Sequence, residues 1–202
     1  MKWSVINKKL LADGFLKLEA FELKHDLFEG GESQALVREL LDRGQAAAVL
    51  PYDPVRDELV LIEQFRIGAL DEPSGPNDSS NPWVIEIIAG LQEPGEPADE
   101  LVHREAEEEA GCKITELIPV HHYYSSPGSS NEKIQIYFAR TESEGLGGIY
   151  GLDEEGEDIR VHVVSSETAF EWLDSGRIDS ALPIIALQWF RLNRDSIRER
   201  WL

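Results

Sequence analysis

The chain carries one cysteine, Cys112, in 202 residues. No intrachain disulfide can form, and the thiol is expected as a small packed side chain in a reducing compartment. Basic residues are scarce: 19 Lys and Arg stand against 39 Asp and Glu, a formal charge of −20. Nucleic-acid backbones and anionic membranes are normally met by Lys and Arg patches, so neither is an expected partner. Long apolar runs are missing too. No window approaches the roughly eighteen apolar residues that span a bilayer, and the opening MKWSVINKKLLADGF lacks a signal peptide's apolar block. The expected location is the cytoplasm. Hydrophobic residues make up 42% of the chain, enough to bury a real core in one domain with an elaboration.

Alternating or short apolar runs between turn residues predict strands near 14–24, 34–41, 45–51, 58–66, 83–89, 116–124, 133–140 and 159–165. Helices are predicted between Pro97 and Gly111, over 166–176 with Ser165 or Ser166 as cap, and from about 180 to 202. Many strands with helices inserted late predict an α/β (α+β) fold, a mixed sheet covered by helices rather than a regular doubly wound array. Residues 71–82 and 141–158 are predicted loops, the second long enough for an active-site lid. Within it GLGGIYG lacks the third glycine of a dinucleotide-binding loop, and DEEGED lacks calcium-hand spacing. His121 and His122, adjacent on a predicted strand, face opposite sides and cannot form a shared ligand pair.

The most informative stretch is GLQEPGEPADELVHREAEEEAGC at 90–112. At about 100° per residue, Glu108 and Glu109 fall roughly 60° and 40° either side of Glu105, and Glu107 points away. Acidic runs are most often solvated helix faces. Here Gly90 follows the apolar run VIEIIA, Pro94 and Gly95 make a turn, and Pro97 and Gly111 bracket the helix, so a strand–loop–helix unit is predicted. Carboxylates about 5 Å apart repel by roughly 3 kcal/mol at an effective dielectric near 20. A hard divalent cation, Mg²⁺ or Mn²⁺, relieves that repulsion, and Mg²⁺ usually works together with substrate phosphates.

The pattern Gly90, five residues, Glu96, seven residues, then Arg104 through Cys112 resembles the Nudix hydrolase box at every defined position. The surrounding LPYDPVRDELVLIEQFRIGA, SSPGSSNEKI and GLDEEGEDIRVHVV are similar to the ADP-ribose pyrophosphatases of that superfamily, over about residues 14–190. Pro127, fifteen residues beyond Cys112, matches a position associated with ADP-ribose specificity. The resemblance implies a Nudix-type α/β/α sandwich with an N-terminal β-strand extension, residues 1–44 as a strand-rich dimerisation segment and 45–202 as the hydrolase domain. It implies Glu105 and Glu109 as catalytic metal carboxylates, Glu108 as a third candidate, and the Ala89 carbonyl and Glu157 as further metal ligands. Glu155 is implied as general base, Arg104 and Glu96 as supports of the acidic loop. Phe15, Arg38, Glu39, Arg43, Arg66, Leu91, Ser126, Gly128 and Glu132 are implied at the substrate. The expected cofactor is Mg²⁺, with Mn²⁺ as substitute. The expected partners are a nucleoside diphosphate sugar and a second copy of the chain. The implied reaction is Mg²⁺-dependent hydrolysis of ADP-ribose to AMP and ribose 5-phosphate. The alternatives are a pyrophosphatase for another nucleotide sugar and a non-catalytic ADP-ribose-binding module.

Overall fold

Alternate side chains of two neighbouring strands enter two different cores, and this alternation sets the layers. From β4 (Gln45–Asp53) and β5 (Glu58–Phe65), Ala47, Val49, Val60 and Ile62 join one buried cluster with Leu101, Val102, Ala106 and Ala110 of α1 (Ala98–Ala110). Ala48, Leu50, Tyr52, Leu59 and Leu61 are equally buried, and the strand period of two turns them the other way. There Tyr52 packs on Phe138 and on Phe190 and Trp201 of α3 (Ala181–Trp201), with Phe138 stacked on Phe190 at 4.8 Å. Packed against α3 on the same side is α2 (Ser166–Asp174). One helix on one face and two on the other make the expected α/β/α sandwich.

The structure is a computed structural model that describes residues 1–70, 81–152, 154 and 156–202. Among them the main sheet runs in the order β10 (Gly148–Tyr150), β11 (Ile159–Ser165), β5, β4, β9 (Lys133–Thr141), β8 (Ile114–Tyr124). Two short strands complete it: β6 (Trp83–Glu86) pairs with β5, and β7 (Ile88–Leu91) pairs with β4. A second sheet holds β1 (Trp3–Asp13), β2 (Lys17–His25) and β3 (Leu36–Asp42) in that order. By internal contacts the chain forms two units, residues 1–46 with 122–134, and residues 47–121 with 135–202. No helix among the described residues is long and apolar enough to cross a membrane.

Three details depart from the sequence expectations. β1 carries no periodic signal because all eleven of its residues are exposed; backbone pairing with β2, from Trp3 opposite His25 to Asp13 opposite Lys17, makes it a strand. The predicted strand 83–89 is two strands broken at Ile87 that pair with different neighbours. The predicted loop 141–158 contains β10, which pairs with β11. Of the predicted loop 71–82, residues 71–80 lie outside the described residues.

Helix ends follow their local chemistry. Gly111 closes α1 in the left-handed region at φ 57°, its N–H bonding the Glu107 carbonyl while the Cys112 N–H bonds that of Ala106. Ser165 caps α2 by accepting from the Thr168 N–H at 3.1 Å. Asp57, in the turn between β4 and β5, accepts from Tyr52, Ser166 and Arg194, and so ties α2 and α3 to the sheet.

Candidate active site

Close approach of β7 to α1 builds the acidic site. A Cβ at Gly90 would overlap the Glu105 carboxylate and lie 2.7 Å from its Cγ, so only glycine lets this side chain lie across the strand. One residue earlier, the Ala89 N–H donates to Glu109 Oε2 at 3.1 Å. Arg104 organises the remainder. Its Nε donates to Glu96 Oε1 at 3.1 Å, and its Nη1 reaches Glu105 and Glu108, each at 2.9 Å. Glu96 in turn holds its own loop, accepting from the Glu93 N–H at 3.1 Å and, at its carbonyl, from Gln92. The helical periodicity is thus realised: Glu105 and Glu109 converge on β7, Glu108 shares Arg104 with Glu105, and Glu107 is exposed.

Burial dominates the electrostatics. Glu109 is 3% exposed, and burial raises its carboxyl from the ordinary 4.5 to about 8 against the Ala89 N–H; Glu105 and Glu157 raise it further, and Arg66 opposes them. Glu105 is also raised, chiefly by burial, with Arg104 opposing. Arg104 is held above the ordinary arginine range, first by its hydrogen bond to Glu96. Glu157 therefore lies within electrostatic reach of both carboxylates, while its own Oε2 accepts from the Leu152 N–H at 3.2 Å. The segment leading to it is fastened by Tyr150, whose ring sits where a Cβ on Gly111 would fall.

These residues fit a hard divalent cation. The donors are carboxylate oxygens, without Cys or His among them, and the buried carboxylates repel one another in the absence of positive charge. Among the described residues no three Asp, Glu, His or Cys side chains close on a single ion position. Glu105 faces Arg104, Glu109 faces the Ala89 N–H and Glu157 faces the Leu152 N–H. The raised Glu109 carboxyl makes a stability prediction. Between pH 4.5 and about 8 the folded chain holds a proton that the unfolded chain has lost, so stability is greatest at the acid end and declines as pH rises through 8. Thermal unfolding of chelator-treated protein is expected to show Tm falling by several degrees from pH 5 to pH 8. Saturating Mg²⁺ is expected to flatten that slope, because an ionised, cation-paired Glu109 no longer takes up a proton on folding.

Of the other residues singled out in the sequence, Arg66 donates from Nε to Glu86 Oε2 at 2.7 Å, and Leu91 ends β7 exposed. Glu155 lies outside the described residues. The remainder fall in the unit formed by 1–46 and 122–134. There Arg43 and Glu132 form an ion pair at 3.3 Å, steadied by Asn131, whose Oδ1 accepts from the Arg43 N–H at 2.8 Å. Ser126 opens the turn at 126–130 by accepting from the Ser129 and Ser130 N–H groups, and Gly128 is exposed at its tip. Arg38 and Glu39 are exposed on β3, and Phe15 is 94% exposed in the turn between β1 and β2. Sequence reasoning missed Glu86 and Asn131. Glu86 is the one acid inside the run WVIEIIA, which was its available signal; Asn131 had none, since its role arises from the fold of a turn.

A three-layer sandwich with a carboxylate-bearing helix laid on a glycine strand defines the Nudix class of fold. Residues 42–183 match the NUDIX domain, and the chain belongs to that family. Within it, the chain is 43% identical to the ADP-ribose pyrophosphatase of Escherichia coli K12 over 197 residues, 98% of this chain and 91% of that protein. It is 41% identical to the ADP-ribose pyrophosphatase of Haemophilus influenzae Rd, over 98% of this chain and 89% of that one. A crystal structure of an ADP compounds hydrolase shares the fold at TM-score 0.71, with 21% identity, covering 98% of this chain and 97% of that one.

Proposed function

We propose that the chain is an ADP-ribose pyrophosphatase that hydrolyses ADP-ribose to AMP and ribose 5-phosphate, with Mg²⁺ as cofactor and Mn²⁺ as a substitute. The reading is carried by the 43% identity to an enzyme of that name across 98% of the chain. Glu105, Glu109, Glu157 and the Ala89 carbonyl would hold the cation. When bound it supplies positive charge that neutralises the diphosphate and stabilises the attacking and leaving oxygens. Arg104 keeps Glu105 and Glu108 oriented through the ion pairs described above. Arg66 is fixed at Nε by Glu86, leaving its terminal nitrogens as donors to the diphosphate. Glu155 takes the proton from water as it attacks the adenosyl-side phosphorus in line. The bridging oxygen leaves with ribose 5-phosphate, and the new P–O bond belongs to AMP.

Phe15, Arg38, Glu39 and Arg43 are assigned to the adenine and ribose, Leu91 to the substrate beside the acidic strand, and Ser126, Gly128 and Glu132 to the terminal ribose. The chain acts as a homodimer joined through the strand-rich unit, in the cytoplasm. Trp3, Ile6, Phe15, Phe28 and Val37 are exposed there, large apolar side chains that a second copy would cover. The deciding experiment incubates purified protein with ADP-ribose, ADP-glucose and GDP-mannose in ¹⁸O-water, with and without Mg²⁺. Mg²⁺-dependent release of AMP carrying the label, with ADP-ribose preferred about tenfold or more in kcat/KM, is the expected result. Tight ADP-ribose binding without AMP release overturns the reading.

A further inference from the structure

Gln64 places its side-chain amide in a buried position on β5. The residue is 6% exposed, yet among the described residues its Nε2 makes no hydrogen bond. Leaving a buried donor unmade costs stability, and native folds seldom tolerate it without reason. Packing is not the reason, since a methionine fills the same volume without the penalty.

The strand period shows which way Gln64 faces. Val60 and Ile62, four and two residues before it on β5, lie in the core beneath α1. Arg66, two residues after it, pairs with Glu86 at 2.7 Å. Across the strand pair Ile62 is opposite Glu86 and Gln64 opposite Val84, so all six side chains share the α1 face. Gln64 thus occupies the row between the closed core and Arg66, and Arg66 lies near enough to Glu109 to oppose the rise in its pKa.

An amide nitrogen only donates, so the missing partner is an acceptor. The nearby carboxylates already have partners: Glu86 has Arg66, and Glu109 has the Ala89 N–H. An acceptor drawn to the side of an arginine and carrying several oxygens matches a phosphoryl group. We propose that Gln64 is a substrate-positioning residue whose carboxamide Nε2 donates to a phosphoryl oxygen of the bound diphosphate, beside Arg66. This inference rests on the reading of the chain as a hydrolase of a nucleoside diphosphate sugar. The unmade bond of the free protein is then completed by the substrate, and Gln64 trades resting stability for diphosphate affinity.

Gln64→Met gives that trade a sign on each side. In the ligand-free protein Tm is expected to rise by about 2–4 °C, because a buried unpaired donor is removed at constant volume. With ADP-ribose and Mg²⁺, KM is expected to rise about tenfold while kcat stays within about twofold, the pattern of a contact made equally in ground and transition states. An unchanged KM overturns the proposal, and so does a lowered Tm with kcat and KM damaged together, which is the mark of a packing role. A second measurement uses the unaltered protein. The side-chain amide resonances of Gln64, assigned by their loss in Gln64→Met, are expected to shift when α,β-methylene ADP-ribose and Mg²⁺ are added. Resonances that stay in place overturn the proposal while AMP release by the same protein preserves the functional reading. Absence of AMP release from the unaltered chain removes the reading itself, and the proposal with it.

Discussion

Glu109→Gln is expected to lower ADP-ribose turnover by about two to three orders of magnitude and to leave the fold intact. The substitution keeps the size of the side chain, and its carboxamide oxygen still accepts from the Ala89 N–H, the bond that fastens α1 to β7 in the native chain. What disappears is a carboxyl, 3% exposed beside Glu105 and Glu157, that can give up its proton to become an anionic ligand when a cation binds. A neutral ligand binds a divalent cation far more weakly than a carboxylate, so the loss is electrostatic and not steric. Burial of that carboxyl also sets the sign of the stability change. Without metal, Glu109→Gln removes the cost of burying an ionisable group and abolishes the decline of Tm between pH 5 and 8. Circular dichroism, Mg²⁺ titration and steady-state kinetics on one preparation separate these effects. Native-like turnover in the variant would remove Glu109 from the machinery.

Gly90→Ala is expected to reduce kcat/KM by about a hundredfold or more through the geometry of one side chain. The added methyl occupies the space of the Glu105 carboxylate, so Glu105 must swing off the strand and away from Glu109. The obstacle is the far end of a flexible side chain, and Gly90 is not among the residues held at positive φ. The fold therefore yields easily, and stability is expected to change by only about 1 kcal/mol, comparable to an ordinary surface replacement. A large loss of activity at nearly constant Tm distinguishes this variant from one that unfolds. Tm falling by more than about 10 °C would show the glycine to be architectural instead.

The acidic site was legible because it is local. Within one helix, i, i+3 and i+4 spacing alone brings Glu105, Glu108 and Glu109 toward one face, and Gly111 marks the helix end by its own conformational freedom. The strands β4 and β5 were legible as well, as short apolar runs between turn residues. β1 was not, because a strand exposed along its whole length has no hydrophobic period to detect and exists through its pairing with β2. Partnerships at long range were equally hidden. Arg66 with Glu86, Arg43 with Asn131 and Asp57 with Arg194 are separated by 20, 88 and 137 residues, and no local spacing encodes which charge meets which. The unmatched amide of Gln64 belongs to the same class, because an absent hydrogen bond becomes visible only when every neighbour is in place.

The interruption at Ile87 has a bearing on how this sequence can tolerate change in length. On one side of it Glu86 steadies Arg66, and on the other Ala89 steadies Glu109, so Ile87 and Ile88 work as a spacer between two anchor points. A single inserted or deleted residue there would turn one anchor to the opposite face of the sheet. A change of length by one residue in this stretch is therefore expected to cost activity, whereas one in a connection that carries neither anchor leaves both in place.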